Sequence, residues 1–233
     1  METTHIIKAF IPWLAYLIFG PIIIAIIKAF SPGKAARILL TGAKGTGKTT
    51  LLNKLNPQYE YRPSTKIFDV DSFTIERKDG SKVRIKKSKD IGGEPMYFQS
   101  VLDEIKSVLD EIKAPVFIYY LINSNDLNDS NKNRDTKARV SSICKEFENQ
   151  IKNKKLSIGF IVSHFDEYCK TYQKSPEEAS QEILNILIKL IMNIKNLPNR
   201  SIDKIVRDKT LIGDLNDDNF VNIIKNSIAI KDK

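Results

Sequence analysis

The chain has 233 residues with 42% hydrophobic residues, long enough to form one fully cored domain of about 200 residues once an N-terminal segment is set aside. The formal charge is +9, but the lysines are scattered and accompanied by many Asn and Ile, so the excess is compositional and no nucleic-acid partner is expected. Only Cys144, Cys169, His5 and His164 could serve as soft or imidazole ligands, and none has C-x-x-C or clustered spacing, which argues against structural zinc and a disulfide framework.

Residues 1–30 contain the first element. From Ala9 to Ile27 there is no charged residue, and the run is about as long as a bilayer core requires. Lys8 and Lys28 bracket it and can reach the two interfaces, while Gly20-Pro21 predicts a kink that a membrane helix tolerates. A single transmembrane helix is expected; a cleaved signal peptide, a hairpin turning at Gly20-Pro21 and a core helix are the competing readings. Lys34 and Arg37 beyond the run weakly favour a cytoplasmic C-terminal domain. Residues 31–35 then form a short linker, and 36–233 the domain.

Ala36 to Leu40 reads as a buried strand. It leads into Gly42-Ala43-Lys44-Gly45-Thr46-Gly47-Lys48-Thr49, a complete G-x-x-x-x-G-K-[ST] loop, and a helix begins at Thr49. In such a loop the glycines let successive backbone N–H groups turn toward phosphate oxygens, and the helix dipole adds positive potential. Gly42, Lys44, Gly45, Thr46, Gly47, Lys48, Thr49 and Thr50 are therefore candidate phosphate contacts. Lys48 would neutralise developing charge on the β and γ phosphates, and Thr49 would ligate magnesium. The location of nucleoside triphosphate and magnesium in the cytosol supports a cytoplasmic domain.

Asn56 to Ser64 has two prolines and no periodicity, which predicts a loop. Lys66–Glu76 and Lys82–Lys89 read as strands of an antiparallel hairpin turning at Asp79-Gly80. An amphipathic helix is expected over about Tyr97–Lys113, a buried strand over Pro115–Ile122, and an exposed, disorder-prone loop over the Asn-rich stretch Asn123–Asp135. There follow a helix near Thr136–Asn153, a strand Leu156–Ser163, a helix Pro176–Asn196, a strand Lys204–Leu211 and a helix near Asn219–Ile230. This alternation predicts an α/β fold with a mostly parallel six-stranded sheet covered by helices on both faces, the three-layer arrangement of a P-loop NTPase.

Further motifs carry a resemblance to Ras-like and Arf-like small GTPases over about Ala36–Ile230, which implies the G-domain fold and guanine-nucleotide binding with Mg2+. Asp90-Ile91-Gly92-Gly93 resembles the D-x-x-G element, implying that Asp90 holds magnesium through water and that Gly93 senses the γ-phosphate. Pro63-Ser64-Thr65 resembles the first switch, implying Thr65 as a second hydroxyl on magnesium, with Ser64 as competitor. Ser163-His164-Phe165-Asp166 stands where the family carries N/T-K-x-D. Asp166 would accept two hydrogen bonds from guanine, and His164 would stack over the base without a lysine's long stem. Gly213 and Asp214 resemble the last base-contacting loop.

Two departures bear on turnover. Glu94 follows D-x-x-G where the family usually has a water-orienting glutamine, so hydrolysis should be slow. Lys44 occupies a P-loop position that is small in Ras and either crowds a partner's arginine or supplies charge itself. Arg62 stands three residues before Thr65, the spacing of an arginine that acts in cis in heterotrimeric α subunits, but Pro63 alters the backbone there and a solvated loop arginine is the preferred reading. The layout of anchor and G domain resembles the β subunit of the signal-recognition-particle receptor. Together these imply a membrane-anchored GTP switch that recruits a protein partner. A GTP-holding receptor or scaffold and a P-loop ATPase or kinase are the alternatives.

Overall fold

The computed structural model describes residues 35–60, 66–111, 116–153, 155–191, 206 and 209–228, all within the compact unit Lys34–Lys233. The apolar run 9–27 lies outside the described residues, as do Arg62, Ser64 and Thr65. Among the described residues, no helix is long and apolar enough to cross a membrane.

Strand β1 spans Ala35–Gly42 and helix α1 Lys48–Leu55. Four short strands follow: β2 Ile67–Val70, β3 Phe73–Glu76, β4 Lys82–Ile85 and β5 Ser88–Ile91. Then come α2 Phe98–Glu111, β6 Val116–Asn123, α3 Ser130–Glu146, α4 Glu148–Lys152 and β7 Leu156–Ser163. Helices α5 Phe165–Tyr172 and α6 Pro176–Ile191, strand β8 Thr210–Ile212 and helix α7 Asp218–Ser227 complete the series.

The six-stranded sheet has the order β3-β4-β1-β6-β7-β8, antiparallel only between β3 and β4. Its central strands are apolar on both faces because helices cover both. Val116, Ile118, Tyr120 and Ile122 of β6 join Ile105, Val140 and Ile183 on one side. On the other, Tyr119 and Leu121 pack with Leu51, Phe220 and Ile224. Side chains alternate across a strand, so one continuous apolar run feeds two cores.

The hairpin departs from the expected pair of long strands. Strand β4 pairs with β1 only at Ala35↔Arg84 and Ala36↔Ile85, after which β5 leaves the main sheet and pairs with β2 in a separate ribbon. The polar Lys86-Lys87-Ser88-Lys89 supplies no apolar side chain to lie against β1. A small cavity lined in part by Ile38, Leu40, Leu52 and Phe73 opens there instead.

The Asn-rich stretch is not a loop. The Asn123 side chain accepts from Asn125 N at 3.0 Å and starts a 3-10 turn over Ser124–Asn128. The Asp129 carboxylate then accepts from Asn131 N and Lys132 N at 2.8 and 3.2 Å, satisfying donors that the first turn of α3 leaves open. The polar composition that predicts disorder here belongs to a capped helix start. Helix α5 is not anticipated by the local pattern. Of the strand expected over Lys204–Leu211, positions 204, 205, 207 and 208 lie outside the described residues, Val206 and Lys209 are helical, and β8 is described over Thr210–Ile212. Among the described residues, β8 aligns with β7 through Phe160↔Thr210 to Val162↔Ile212.

Replacing Asp129 with Ala should lower unfolding stability by about 1 kcal/mol and loosen the start of α3. Urea denaturation would measure the first effect, and hydrogen exchange over residues 130–135 the second.

Candidate functional site

The parallel register of β1, β6 and β7 brings their carboxyl ends to one level, with Gly42 opposite Leu121 and Asn123 opposite Ser163. Strand β1 ends in the phosphate loop, and α1 starts immediately after it. Gly47 caps α1 with φ 84°, a left-handed backbone, and a Cβ there would lie 2.5 Å from Leu215 Cδ1. Both reasons require glycine. Thr46 Oγ1 donates to Ala43 O at 3.0 Å and braces the loop internally, and Thr50 lies half-buried in the first turn of α1.

Lys48 is 4% exposed, and its Nζ donates to Gly42 O at 3.1 Å and Ala43 O at 2.8 Å. Burial lowers its pKa from 10.5 to about 8; Asp90 works against the shift and Arg139, a like charge, adds to it. An ammonium taken out of water in this way is satisfied best by an anion with oxygens to offer.

Thr49 and Asp90 meet as expected: Thr49 Oγ1 donates to Asp90 Oδ2 at 3.1 Å. The Tyr59 hydroxyl, which sequence reasoning missed, donates to the same oxygen at 3.1 Å. Among the described residues no three His, Cys, Asp or Glu side chains group as a metal cage. A magnesium ion held here would be bound by Thr49, by Asp90 through water and by phosphate oxygens, the sparse protein ligation this ion favours.

Gly93 lies against the phosphate loop, where a Cβ would stand 2.4 Å from the Ala43 carbonyl carbon. The next residue, Glu94, forms an ion pair with Lys44, Oε1 to Nζ 3.1 Å. The two unusual residues therefore oppose each other's charge across the mouth of the loop. The Gly93 carbonyl accepts from Arg139 Nη1 at 3.1 Å. Arg139 was also missed; its signal was a charge standing on the face of α3 that buries Thr136, Val140 and Ile143.

The base-side residues are tied to the same loop. Ser163 is fully buried, and its Oγ donates to Thr46 O at 3.0 Å, with Ile122 O at 3.3 Å. With its only hydrogen directed at these carbonyls, Oγ accepts from Nδ1–H of His164 at 2.9 Å. His164 has φ 58°, and its carbonyl accepts from Ser124 Oγ at 2.8 Å, a further contact unseen in the sequence. Asp166 is exposed in the first turn of α5. Gly213 N donates to Val162 O at 3.1 Å, and Gly213 packs on Phe220 so closely that a Cβ would stand 2.5 Å from its ring. Asp214 Oδ1 accepts from Asn216 N at 2.7 Å, holding the turn that sends Leu215 toward Gly47.

A family model described as the KAP family P-loop domain matches residues 21–88, under a third of the chain. No curated protein sequence matches significantly. Among solved structures, Toc33 from Arabidopsis thaliana in complex with Mg2+ and GMPPNP is 16% identical with a TM-score of 0.57, the match covering 90% of this chain and 87% of that one. The same protein with GDP and Mg2+ is 18% identical with a TM-score of 0.58, covering 84% of this chain and 83% of that one. The mammalian SRP receptor is 16% identical with a TM-score of 0.52, covering 83% of this chain and 100% of that one. The fold is the P-loop NTPase α/β fold that these structures share. Within it, the phosphate loop, Asp90–Gly93 and the S-H-F-D turn occupy one end of the sheet.

The lowered pKa of Lys48 has a stability consequence. Its charged form is disfavoured in the folded chain, so the destabilisation is full below pH 8 and is relieved as pH rises from about 8 toward 10.5. Nucleotide-free protein should gain up to about 3 kcal/mol over that range from this group. Lys48→Met should be more stable than wild type at pH 7 and lack that gain, which denaturation at a series of pH values would measure.

Proposed function

We propose that the chain is a membrane-anchored GTP-binding protein whose G domain binds GTP with Mg2+ and serves as a slow switch that recruits a protein partner to a membrane. The observation that carries the nucleotide reading is the direct bond from Ser163 Oγ to the Thr46 carbonyl. It joins the S-H-F-D turn to the phosphate loop, as a purine nucleotide lying across both would require. In this reading the P-loop backbone, Lys48 and Gly93 hold the phosphates, and Thr49, Asp90 and Thr65 serve magnesium. Asp166 reads the guanine edge, and His164 and the Gly213-Asp214 turn flank the base. The Toc33 structures, bound to Mg2+ with GMPPNP or GDP, support this ligand class.

Anchoring rests on the uncharged run Ala9–Ile27. The chain enters the sheet at Ala35, and the phosphate loop follows the other end of β1, roughly 23 Å away at 3.3 Å per residue.

The ion pair between Lys44 and Glu94 favours a second reading, a GTP-holding receptor or scaffold with little hydrolysis. A paired carboxylate is a poor water-orienting group, and the pair keeps Lys44 from acting as a free cation at the γ-phosphate. An ATPase or kinase is the third reading, supported by the KAP match, whose description names a P-loop and no base. Phosphate release under multiple turnover separates switch from scaffold. Arg62 as a cis-acting group would be overturned by unchanged single-turnover hydrolysis in Arg62→Ala.

GTP should outcompete ATP for the purified chain in magnesium, and Asp166→Asn should shift preference from guanosine to xanthosine nucleotides, because an amide donor then faces a ring carbonyl. Equal competition by ATP would overturn the guanine assignment. Lys44→Ala should weaken GTPγS about threefold by leaving Glu94 uncompensated, and adding Glu94→Gln should restore it, as expected for an exposed pair. Equilibrium titration of the two variants reads this out.

A further inference from the structure

Arg139 is 5% exposed on the inner face of α3, and three contacts clamp it. Its Nη1 donates to Gly93 O at 3.1 Å, its Nε lies 3.0 Å from Asp135 Oδ2, and its guanidinium carbon sits 5.6 Å from the centre of the Phe98 ring. A planar guanidinium held by a carboxylate on one edge and a ring beside it has little rotational freedom, so the N–H aimed at Gly93 is fixed in direction.

The other side of Gly93 is fixed as well. Its Cα backs onto the Ala43–Lys44 peptide so closely that a Cβ would lie 2.5 Å from Lys44 N. The peptide that follows Gly93 carries Glu94, whose side chain is held by Lys44. The segment between β5 and α2 is thus gripped by the phosphate loop on one side and by α3 on the other. Stability alone is a weak reason for this arrangement, since apolar replacements of buried ionic groups are often as stable or more so. Arg139 also acts on the Lys48 ammonium as a like charge, which puts it within electrostatic reach of the phosphate-binding group.

We propose that Arg139 is a positioning residue that holds Gly93 through its carbonyl, coupling α3 to the terminal phosphate of a bound nucleoside triphosphate. This rests on the nucleotide reading given above. When the γ-phosphate draws the Gly93 segment, the pull is transmitted to α3; when only a diphosphate is bound, the bond from Arg139 has no phosphate to act through. Arg139 therefore contributes to the distinction between triphosphate and diphosphate and little to binding of the diphosphate itself.

The test uses the full chain with Arg139→Lys, which keeps the charge but lacks the planar fork needed to reach Gly93 and Asp135 together. Affinities for GTPγS and GDP are measured in magnesium, and hydrogen exchange over residues 93–97 is measured in nucleotide-free protein. The expected result is GTPγS binding about tenfold weaker, GDP binding within twofold of wild type, and exchange at least tenfold faster. Should that variant fail to fold, Asp135→Asn frees one edge of the guanidinium and should move each readout the same way by a smaller factor. Equal weakening of both nucleotides, or wild-type ratio and exchange, would overturn the inference. If the wild-type chain binds adenine instead of guanine nucleotides, the guanine assignment falls by itself. The same ratio taken with ATPγS and ADP then decides the role of Arg139.

Discussion

The parallel register of β1, β6 and β7 is the constraint on which the rest of the molecule depends. Because Gly42 stands opposite Leu121, and Asn123 opposite Ser163, the turns that leave these strands emerge at one level. Hydrogen bonds between turns then become possible, such as Ser163 to Thr46 and Gly213 N to Val162 O. A slip of one residue in either ladder would turn each strand's side chains to the opposite core and carry Ser163 off the loop. Packing energy and site geometry are thus enforced by the same ladders.

Electrostatics around the phosphate loop follow from that placement. Lys48 is buried at the loop and Arg139 comes in from α3, while the nearby carboxylate, Asp90, is already engaged by Thr49 and Tyr59. Burial of the Lys48 ammonium costs stability in the free chain, while the charge of Arg139 is met by Asp135. Lys44 and Glu94 sit at the mouth, where solvent screens them, so their pairing contributes modestly.

The ribbon of β2 and β5 adds a second theme. Asp90 lies on β5, buried, beside a small cavity that Ile38 and Leu40 of β1 also line. The carboxylate that would serve magnesium is therefore carried by a strand outside the main ladder and is held by side chains. Tyr59 anchors it from the loop after α1, and Asn53 Nδ2 in turn holds the Tyr59 carbonyl at 2.6 Å.

The sequence by itself determined the phosphate loop, β7 to the residue, the antiparallel hairpin, the two-faced apolar strands and the joint appearance of Asp90, Gly93 and Asp166 at strand ends. These are local: they follow from glycine geometry, side-chain period and turn chemistry within a few residues. Tertiary structure alone decided the rest. It took β5 out of the main sheet to pair with β2, a choice between partner strands that local pattern does not make. It made a helix of the Asn-rich stretch through the Asp129 cap, whose effect depends on Val140 and Ile143 finding a core. It joined Lys44 to Glu94, Tyr59 to Asp90 and Arg139 to Gly93, pairs separated by 50, 31 and 46 positions, which local pattern cannot connect.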